Sequence, residues 1–249
     1  MPKVIGIIPA RYQSKRFPGK ALALLGGIPL IVMVYRAVLK SSLIDDVYVA
    51  TDDPRIESAV KQHGGRIILT SGDHATGSDR VAEAIGKVPD ADFVINIQGD
   101  EPFISGDIID RVISALDDPG VVMSTACAPF TIPDEVDDPN IVKVVLDAGG
   151  NALYFSRSRI PYVRRDGIEA AKPYRHIGIY GFKREFLMTF AALNRTPLEE
   201  TEGLEQLRAL EHGYGIKTEI VKWDFPGIDS REDLVRAEAI LGERAAQDG

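Results

Sequence analysis

The sequence Val4-Ile5-Gly6-Ile7-Ile8-Pro9 is apolar at every position and leads directly into a loop rich in basic residues. Uninterrupted apolar runs of this kind are typical of strands in a parallel sheet that helices cover on both faces. Similar runs, VYVA and FVINI, occur at residues 47–50 and 93–97, and a helical segment precedes each of them. This alternation predicts an α/β fold with a doubly wound, mostly parallel sheet.

The remaining segments extend this prediction along the chain. In the first half we expect strands at residues 4–9, 47–51, 66–69 and 93–98, and helices at residues 29–41, 54–63, 78–85 and 106–116. In the second half we expect strands at residues 141–146, 152–155, 176–182 and 217–223, and helices at residues 183–193, 202–212 and 230–244. No Gly- or Ser-rich linker interrupts the sequence, so we predict one domain over residues 1–249 with a smaller excursion at about residues 130–215.

The composition argues against several classes of protein. With 45% hydrophobic and 27% charged residues, the 249-residue chain has the profile of a soluble globular protein. Its net charge of −8 argues against nucleic-acid binding, which normally requires a basic face. The apolar run near residue 5 is too short for a signal peptide, and no segment approaches the roughly 20 apolar residues of a membrane span. We therefore expect a cytoplasmic protein without membrane insertion.

The chain has a single cysteine, Cys127, which cannot form an intramolecular disulfide. This usage is common in a reducing compartment. Because Cys127 lies in the apolar stretch at residues 121–129, we expect a buried side chain rather than a nucleophile.

A basic loop follows the first predicted strand. Four of the 29 Lys and Arg residues fall between positions 11 and 20, namely Arg11, Lys15, Arg16 and Lys20. Ligands of a doubly wound sheet bind beyond the carboxyl ends of its strands, so Pro9, Ala10 and these cations should border a ligand. Gly19 permits close backbone approach, and several cations can surround a polyphosphate. The loop lacks the Walker and GxGxxG patterns; the alternative is a solvated, mobile surface loop.

Two carboxylates are candidates for binding a hard cation. Asp100 follows the predicted strand at residues 93–98, and Asp229 precedes the last predicted helix. Mg²⁺ uses one or two protein carboxylates together with substrate phosphates. Alternatively, Asp100 caps the turn around Gly99. Two pairs also have the spacing of a helix capping box, Asp229 with Glu232 and Ser230 with Asp233.

Three other parts of the sequence are candidates for ligand binding, although each has a structural alternative. In TSGDHATGSDR (residues 70–80), small residues at Ser71 and Gly77 would let a planar base approach the backbone, or the segment only caps a helix that starts at Ser78. Arg157 could bind a carboxylate through its bidentate fork. Taken alone, His176 is more typical of a structural histidine, and Glu205 is more typical of a solvated helix position.

Several motifs, taken in order, resemble one family. They are IPARYQSKRFPGKAL (residues 8–22), TSGDHATGSDR (70–80), INIQGDEPFI (95–104), ALYFSRSRIP (152–161), HIGIYGF (176–182) and LEQLRALEHG (204–213). Over nearly the whole chain they resemble the 3-deoxy-manno-octulosonate cytidylyltransferases, or CMP-Kdo synthetases. The resemblance implies the nucleotide-diphospho-sugar transferase fold with a smaller dimerisation subdomain, and a homodimer. It also implies that CTP and Kdo are joined to give CMP-Kdo and pyrophosphate for lipopolysaccharide synthesis, with Mg²⁺ as cofactor.

The resemblance also implies a role for each matching residue. Arg11 and Lys20 bind the triphosphate with Arg16 as support, and Asp100 and Asp229 hold Mg²⁺. The other implied nucleotide contacts are Pro9, Ala10, Ser71, Gly77, Arg80 and Gln98. The implied sugar contacts are Gln98, Arg157, His176, Tyr180 and Glu205. In the implied reaction the anomeric hydroxyl of Kdo attacks the α-phosphorus of CTP in line, without a covalent enzyme intermediate, and Arg11, Lys20, Asp100 and Asp229 are catalytic.

Three alternatives compete with this interpretation. A related cytidylyltransferase for 8-amino-Kdo or sialic acid would share the phosphate and metal residues. A nucleotide-sensing regulator would not need the pair of carboxylates, and a glycosyltransferase would not need a basic loop for a departing pyrophosphate. One local departure lies near the predicted sugar residues, since Arg159 stands where the family often has proline.

Overall fold

The structure is a computed structural model that describes residues 1–13, 17–164, 173–223, 225 and 227–247. The chain forms two compact units. The first comprises Met1–Asp110 and Phe225–Gly249, and the second comprises Arg111–Asp224. The chain therefore leaves the first unit once and returns to it for its last helix.

The first unit contains a parallel sheet. The strands of that sheet are β1 (Val4–Pro9), β4 (Asp46–Thr51), β5 (Ile67–Leu69) and β6 (Phe93–Ile97), and a separate antiparallel hairpin is formed by β2 (Leu24–Leu25) and β3 (Ile28–Pro29). Its helices are α1 (Leu30–Val38), α2 (Pro54–Gln62), α3 (Gly77–Gly86) and α4 (Gly106–Ser114), which continues past Asp110. Parallel pairing gives the strand order β6–β1–β4–β5. The expected α/β fold with parallel strands is confirmed.

The carboxyl ends of these strands lie side by side. Ala10 N donates to Ala50 O (2.9 Å), and Thr70 N donates to Thr51 O (3.0 Å). The loops after β1, β4 and β5 therefore begin at one edge of the sheet, which is where a doubly wound sheet binds its ligands.

The second unit contains a mixed sheet. Its strands are β7 (Met123–Pro129), β8 (Lys143–Leu146), β9 (Ala152–Ser156), β10 (Tyr174–Lys183) and β11 (Lys217–Ile220), and its helices are α5 (Arg184–Ala192), α6 (Pro197–Glu202) and α7 (Leu207–Glu211). β7 pairs antiparallel with β10 and parallel with β11, while β8 pairs antiparallel with β10 and β9. The chain then returns to the first unit with α8 (Arg231–Gln247).

Three regions of the chain differ from the predicted elements. The hairpin of β2 and β3 was not expected, and its turn residues Gly26 and Gly27 both adopt the positive φ that a two-residue hairpin needs. β7 was not expected either, because MSTACAP is built largely from small residues with weak strand preference. The single helix predicted at residues 202–212 is wrong, since Gly203 adopts a left-handed conformation (φ 63°) that ends α6, and α7 starts four residues later.

The other predicted elements lie close to their expected positions, and Cys127 is buried as expected. Burial raises the pKa of its thiol to about 12, with a smaller contribution from Glu219. No helix in the described part of the chain combines the length and apolar character needed to cross a bilayer.

Candidate active site

The loop after β1 is closed at its base by Gly19. Gly19 N donates to Tyr12 O (2.9 Å), and the residue adopts φ 76°, a conformation that favours glycine. A short 3₁₀ turn, Lys20–Leu22, begins directly after it. Arg11 is exposed in the same loop, whereas Arg16 lies outside the described residues.

The ammonium group of Lys20 lies between two carboxylates. Its Nζ is 2.7 Å from Asp100 Oδ2 and 3.1 Å from Asp229 Oδ1. Burial by itself would lower the pKa of this ammonium, but the charges and hydrogen bonds of Asp100 and Asp229 outweigh burial and raise the pKa above its usual value. Three predicted site residues from distant parts of the sequence therefore meet at one charged centre.

Backbone contacts bring Asp229 to Asp100. Ile228 N donates to Asp100 O (2.9 Å), and the Ile228 side chain is fully buried. A Cβ added at Gly227 would lie 3.1 Å from Glu101 Oε1, so the small residue permits this close approach. The segment before α8 is thus fixed against the segment after β6.

The structure also selects between the two possible capping boxes of α8. Ser230 N donates to Asp233 Oδ2 (2.9 Å), and Asp233 N donates to Ser230 Oγ (3.1 Å). This reciprocal pair satisfies backbone donors at the start of the helix. The Asp229 carboxylate, which the alternative pairing with Glu232 would have used, faces Lys20.

The chemistry of Asp100 and Asp229 fits a hard cation. Both carboxylates converge on one positive charge, and carboxylate oxygens are the ligands that Mg²⁺ prefers. Within the described residues no group of three or more His, Cys, Asp or Glu side chains is arranged to hold a metal ion. Mg²⁺ commonly uses only one or two protein carboxylates and takes its other ligands from phosphates and water, so a pair is sufficient.

Gly77 and Gln98 lie beside Pro9 at the sheet edge. A Cβ added at Gly77 would lie 3.6 Å from Pro9 Cγ and 3.8 Å from Gln98 Nε2. The Gln98 amide donates to Asn96 Oδ1 (3.2 Å), and Asn96 is fully buried in β6. The helix predicted to start at Ser78 starts one residue earlier, at Gly77. These three predicted nucleotide residues are therefore close neighbours.

Ser71 lies in the loop after β5, and Arg80 lies near the start of α3, which follows that loop. Arg80 is buried, with Nη1 donating to Thr70 Oγ1 (2.6 Å) and Nη2 paired with Asp52 Oδ1 (2.8 Å). Ser71 is exposed, and its hydroxyl accepts from Asp73 N (3.2 Å). Arg80 thus connects the ends of β4 and β5, and Ser71 lies on the exposed surface of the loop.

Among the predicted sugar residues, His176, Tyr180 and Glu205 are close together in the second unit. The rings of His176 and Tyr180 are 5.3 Å apart. Burial raises the pKa of the Tyr180 phenol well above its usual value, and the charge of Glu205 adds to this effect. Burial lowers the pKa of the His176 imidazole to about 3. Both rings are therefore neutral near pH 7.

A buried ion pair fixes the segment that carries Glu205. Arg208 of α7 binds Glu199 of α6 through Nε (2.8 Å) and Nη2 (2.6 Å), and both side chains are almost fully buried. This bidentate geometry holds the two short helices together, with Glu205 between them.

Arg157 is anchored by backbone carbonyls. Its Nε donates to Glu202 O (2.7 Å), and its Nη1 donates to Pro139 O (2.9 Å). These hydrogen bonds connect Arg157 to the end of α6 and to the loop before β8, rather than to His176 or Tyr180. The structure thus places Arg157 in the same unit as the other predicted sugar residues but does not join it to them.

The family model of the cytidylyltransferases matches residues 5–220. The chain belongs to the cytidylyltransferase family. Similar members named 3-deoxy-manno-octulosonate cytidylyltransferase come from Phocaeicola vulgatus (47% identity, 98% of this chain and 100% of the relative) and Syntrophobacter fumaroxidans (46%, 98% of each). A member from Shewanella pealeana named 8-amino-3,8-dideoxy-manno-octulosonate cytidylyltransferase is also 47% identical, over 94% of this chain and 97% of the relative.

Two solved structures share the fold of this cytidylyltransferase. A CMP:2-keto-3-deoxy-manno-octonic acid synthetase complexed with CTP matches with a TM-score of 0.91 and 40% identity, over 97% of this chain and 99% of the other. The 4-diphosphocytidyl-2C-methyl-D-erythritol synthase of Anaerococcus prevotii matches with a TM-score of 0.65 and 15% identity, over 97% and 96%, which shows a common fold alone. The predicted nucleotidyltransferase fold and family are confirmed.

Sequence reasoning missed several residues that hold the site of this cytidylyltransferase. Glu83 of α3 accepts from Ser71 N (2.9 Å) and contacts His74 Nε2 (2.6 Å). The hydrogen bond that Glu83 accepts from the Lys87 ammonium lowers the pKa of the Glu83 carboxyl to about 2, and those from Ser71 N and His74 contribute further. The spacing of Glu83 and Lys87 suggests only an exposed helix pair, so no sequence signal pointed to the loop.

Lys143 of β8 was also missed. Its side chain is fully buried, and its ammonium donates to the carbonyl oxygens of Asp138 (2.9 Å), Ile141 (2.8 Å) and Arg157. Burial lowers the pKa of this ammonium. Lys143 thus holds the backbone of Arg157, and no local pattern around a lysine in a strand predicts such a role.

Proposed function

We propose that this member of the cytidylyltransferase family joins CTP and 3-deoxy-D-manno-octulosonate (Kdo) to give CMP-Kdo and pyrophosphate, which activates Kdo for lipopolysaccharide synthesis. The observation that carries the proposal is identity of 46–47% with Kdo cytidylyltransferases over 98% of this chain. The charged centre of Lys20, Asp100 and Asp229 supports it, because joining a sugar acid to a triphosphate requires control of much negative charge.

In this proposal the basic loop binds the phosphates that leave. Arg11 is exposed at the start of the loop, and the Lys20 ammonium is held charged at its end. Both cations would stabilise the negative charge that develops on the departing pyrophosphate. Lys20 would exchange its carboxylate partners for phosphate oxygens when the nucleotide binds.

Asp100 and Asp229 would hold Mg²⁺. When bound, Mg²⁺ neutralises phosphate charge and makes a nearby hydroxyl easier to deprotonate. The two carboxylates contribute their fixed position, which the hydrogen bond from Ile228 N to Asp100 O maintains.

In this proposal the residues of the site orient CTP and Kdo for a single displacement at the α-phosphorus. The anomeric hydroxyl oxygen of Kdo would form a bond to the α-phosphorus of CTP while the bond from that phosphorus to the oxygen shared with the β-phosphate breaks. That oxygen leaves with pyrophosphate, and the hydroxyl proton is released to solvent. Pro9, Gly77 and Gln98 would border the nucleotide, and Gln98 would also reach the sugar. The Cys127 thiol does not serve as a nucleophile, because it is buried and its pKa is raised to about 12.

A second candidate substrate is 8-amino-Kdo. The relative from Shewanella pealeana, which is named for that sugar, is as similar to this chain as the relatives named for Kdo. Neutral His176 and Tyr180 can hydrogen-bond to hydroxyl groups in both sugars. Selectivity between Kdo and 8-amino-Kdo therefore depends on the residues that meet the group at C8, which is a hydroxyl in one sugar and an amine in the other.

The test is a sugar panel. Pyrophosphate release is measured with CTP and Mg²⁺ for Kdo, 8-amino-Kdo and N-acetylneuraminate, and then with UTP in place of CTP. We expect the highest kcat/KM with Kdo and CTP. Equal or faster turnover of another sugar would refute the substrate assignment, and release without any sugar dependence would refute the reaction.

By the same resemblance we propose that the protein acts as a homodimer in the cytoplasm. A single buried cysteine is compatible with a reducing compartment. Sedimentation equilibrium of the full chain tests the dimer, and a monomeric mass at micromolar concentration would contradict it.

A further inference from the structure

β10 contains a bulge next to His176. Ile177 pairs with Ala126 of β7, and the next aligned pair is Tyr180 with Thr125. Two residues of β10 therefore have no counterpart in β7. Bulges of this kind commonly change the direction of neighbouring side chains and carbonyl groups. The carbonyl oxygen of one of the two residues, Ile179, accepts a hydrogen bond from Thr125 Oγ1 (2.7 Å).

The same hydroxyl group contacts His176. Thr125 Oγ1 lies 2.9 Å from His176 Nε2, and Thr125 is fully buried. A hydroxyl has one proton to donate and two lone pairs that accept. Because the Ile179 carbonyl oxygen can only accept, the single Thr125 proton points to Ile179. The Thr125 oxygen must then accept from His176, so Nε2 carries a proton.

The surroundings of His176 keep the ring neutral. The residue is partly buried, and Phe155 packs edge-on against its ring with the centroids 5.0 Å apart. Tyr180 lies on another side at 5.3 Å, with Glu205 near Tyr180. Burial among these groups lowers the pKa of the imidazole to about 3. A neutral ring with its proton on Nε2 has an unprotonated Nδ1 that can only accept.

We propose that Thr125 is a positioning residue that fixes His176 in the Nε2–H tautomer, and that His176 Nδ1 accepts a hydrogen bond from a hydroxyl group of the sugar substrate. The identity of the ligand rests on the proposed function, whereas the tautomer does not. A lone pair at Nδ1 repels a carboxylate, so the acid group of the sugar binds to other residues.

The tautomer is measured by NMR on the full-length protein with ¹⁵N-labelled histidine. The chain has four histidines, and the His176 signals are assigned by their loss in His176→Gln. Long-range ¹H–¹⁵N spectra distinguish the two neutral tautomers from the charged ring. We expect a protonated Nε2 and an unprotonated Nδ1 throughout pH 6–8.

Variants of Thr125 test its positioning role. Thr125→Val removes the hydroxyl at nearly constant volume, and we expect the KM for Kdo to rise about ten-fold, as for one lost hydrogen bond. We expect kcat and the KM for CTP to change less than about three-fold, and Thr125→Ser to restore the KM for Kdo. Thr218→Val is the matched control. Thr218 of β11 lies opposite Thr125 of β7, and the buried hydroxyl of Thr218 has no hydrogen-bond partner among the described residues.

Addition of Kdo with CTP, without a divalent cation, tests the ligand. We expect the unprotonated Nδ1 resonance of His176 to shift when Kdo is added. A proton on Nδ1 or a charged ring at pH 7 would overturn the tautomer, even if Thr125→Val does not fold. An unchanged KM for Kdo in folded Thr125→Val would overturn the positioning role.

The two proposals can fail separately. If the wild type shows the Nε2–H tautomer but turns over no sugar, the proposed function fails and the tautomer stands. If Kdo is turned over while Nδ1 is unaffected by it, the hydroxyl contact is wrong and the reaction stands.

Discussion

The two units prepare polar groups in opposite ways. In the first unit, full charges meet at one point, where the Lys20 ammonium lies between Asp100 and Asp229. In the second unit, His176 and Tyr180 are kept neutral, because burial lowers the pKa of the imidazole to about 3 and raises that of the phenol. The first arrangement suits exchange of one ion for another, whereas the second suits hydrogen bonds that do not change with pH.

This difference has an energetic basis. In a cluster of charges that stays partly exposed, opposite charges partly offset one another, and the cluster can be rearranged at modest cost. A neutral group in an apolar surrounding must satisfy its hydrogen bonds at fixed positions, since an unsatisfied buried group costs about 1–3 kcal/mol. We therefore expect the charged centre to dominate catalysis and the neutral pair to determine selectivity.

The largest expected effect is on the charged centre. Asp100→Ala removes one of its two carboxylates, and we expect kcat for CMP-Kdo formation to fall about 10³-fold or more, equivalent to roughly 4 kcal/mol of transition-state stabilisation. Pyrophosphate release and a thermal unfolding curve measure activity and folding in parallel. Turnover within a few fold of wild type would show that catalysis does not depend on the charges of the first unit.

Lys20→Met gives the next largest effect. It leaves two carboxylates without the ammonium, and we expect a loss of about 2–3 kcal/mol in the free energy of unfolding, less than for a fully buried pair. Urea unfolding without divalent cation measures this loss, and Mg²⁺ should restore part of it in Lys20→Met but add little to wild type. Lys20→Arg is the control that keeps the charge. Equal Mg²⁺ effects on both proteins would contradict the exchange of one cation for another.

The first unit was largely predictable because its signals are local. The buried run at β1 was predicted with the bounds the structure shows, since a short continuous apolar segment that ends at a proline has few alternatives. β7 was missed because a fully buried strand can be built from small residues, and its burial depends on neighbours that local patterns do not reveal. The break at Gly203 was missed because helical spacing continues through it.

The candidate site was predictable where a residue follows a strand. Asp100 has such a position. Asp229 instead reaches the site through a long-range contact, the hydrogen bond from Ile228 N to Asp100 O. Glu83 and Thr125 had no sequence signal, because the partner that each side chain meets is decided by tertiary packing. The roles assigned to the site residues in binding and catalysis stay predictions.

A pH effect tests the neutral state of the second unit. The pKa of His176 is about 3 in the folded protein, below its ordinary value near 6.5, so the unfolded chain binds the proton more readily. The stability that this residue contributes is complete above pH 6.5 and is lost as the pH falls toward 3. Between pH 7 and pH 5 we expect wild type to lose about 2 kcal/mol more unfolding free energy than His176→Gln. Equal losses in urea unfolding would mean that His176 titrates normally.

The smallest expected effect concerns the carboxylate that organises the loop after β5. The pKa of Glu83 is lowered to about 2 by Lys87, Ser71 N and His74, so its contribution to stability is present above pH 4.5 and is lost as the pH falls toward 2. At pH 7 we expect Glu83→Gln to cost about 1 kcal/mol, after allowance for its partial exposure, and the difference from wild type to shrink between pH 4.5 and pH 2.5.

Glu57→Gln is the matched control for Glu83→Gln, because Glu57 pairs with Lys61 at the same helical spacing in α2. Such an exposed pair contributes only about 0.3–0.5 kcal/mol, so urea unfolding should separate the two variants at pH 7. If Glu57→Gln and Glu83→Gln behave alike, Glu83 is only a surface pair. Charge in the first unit would then matter at the centre of Lys20, Asp100 and Asp229 and not in the loop that follows β5.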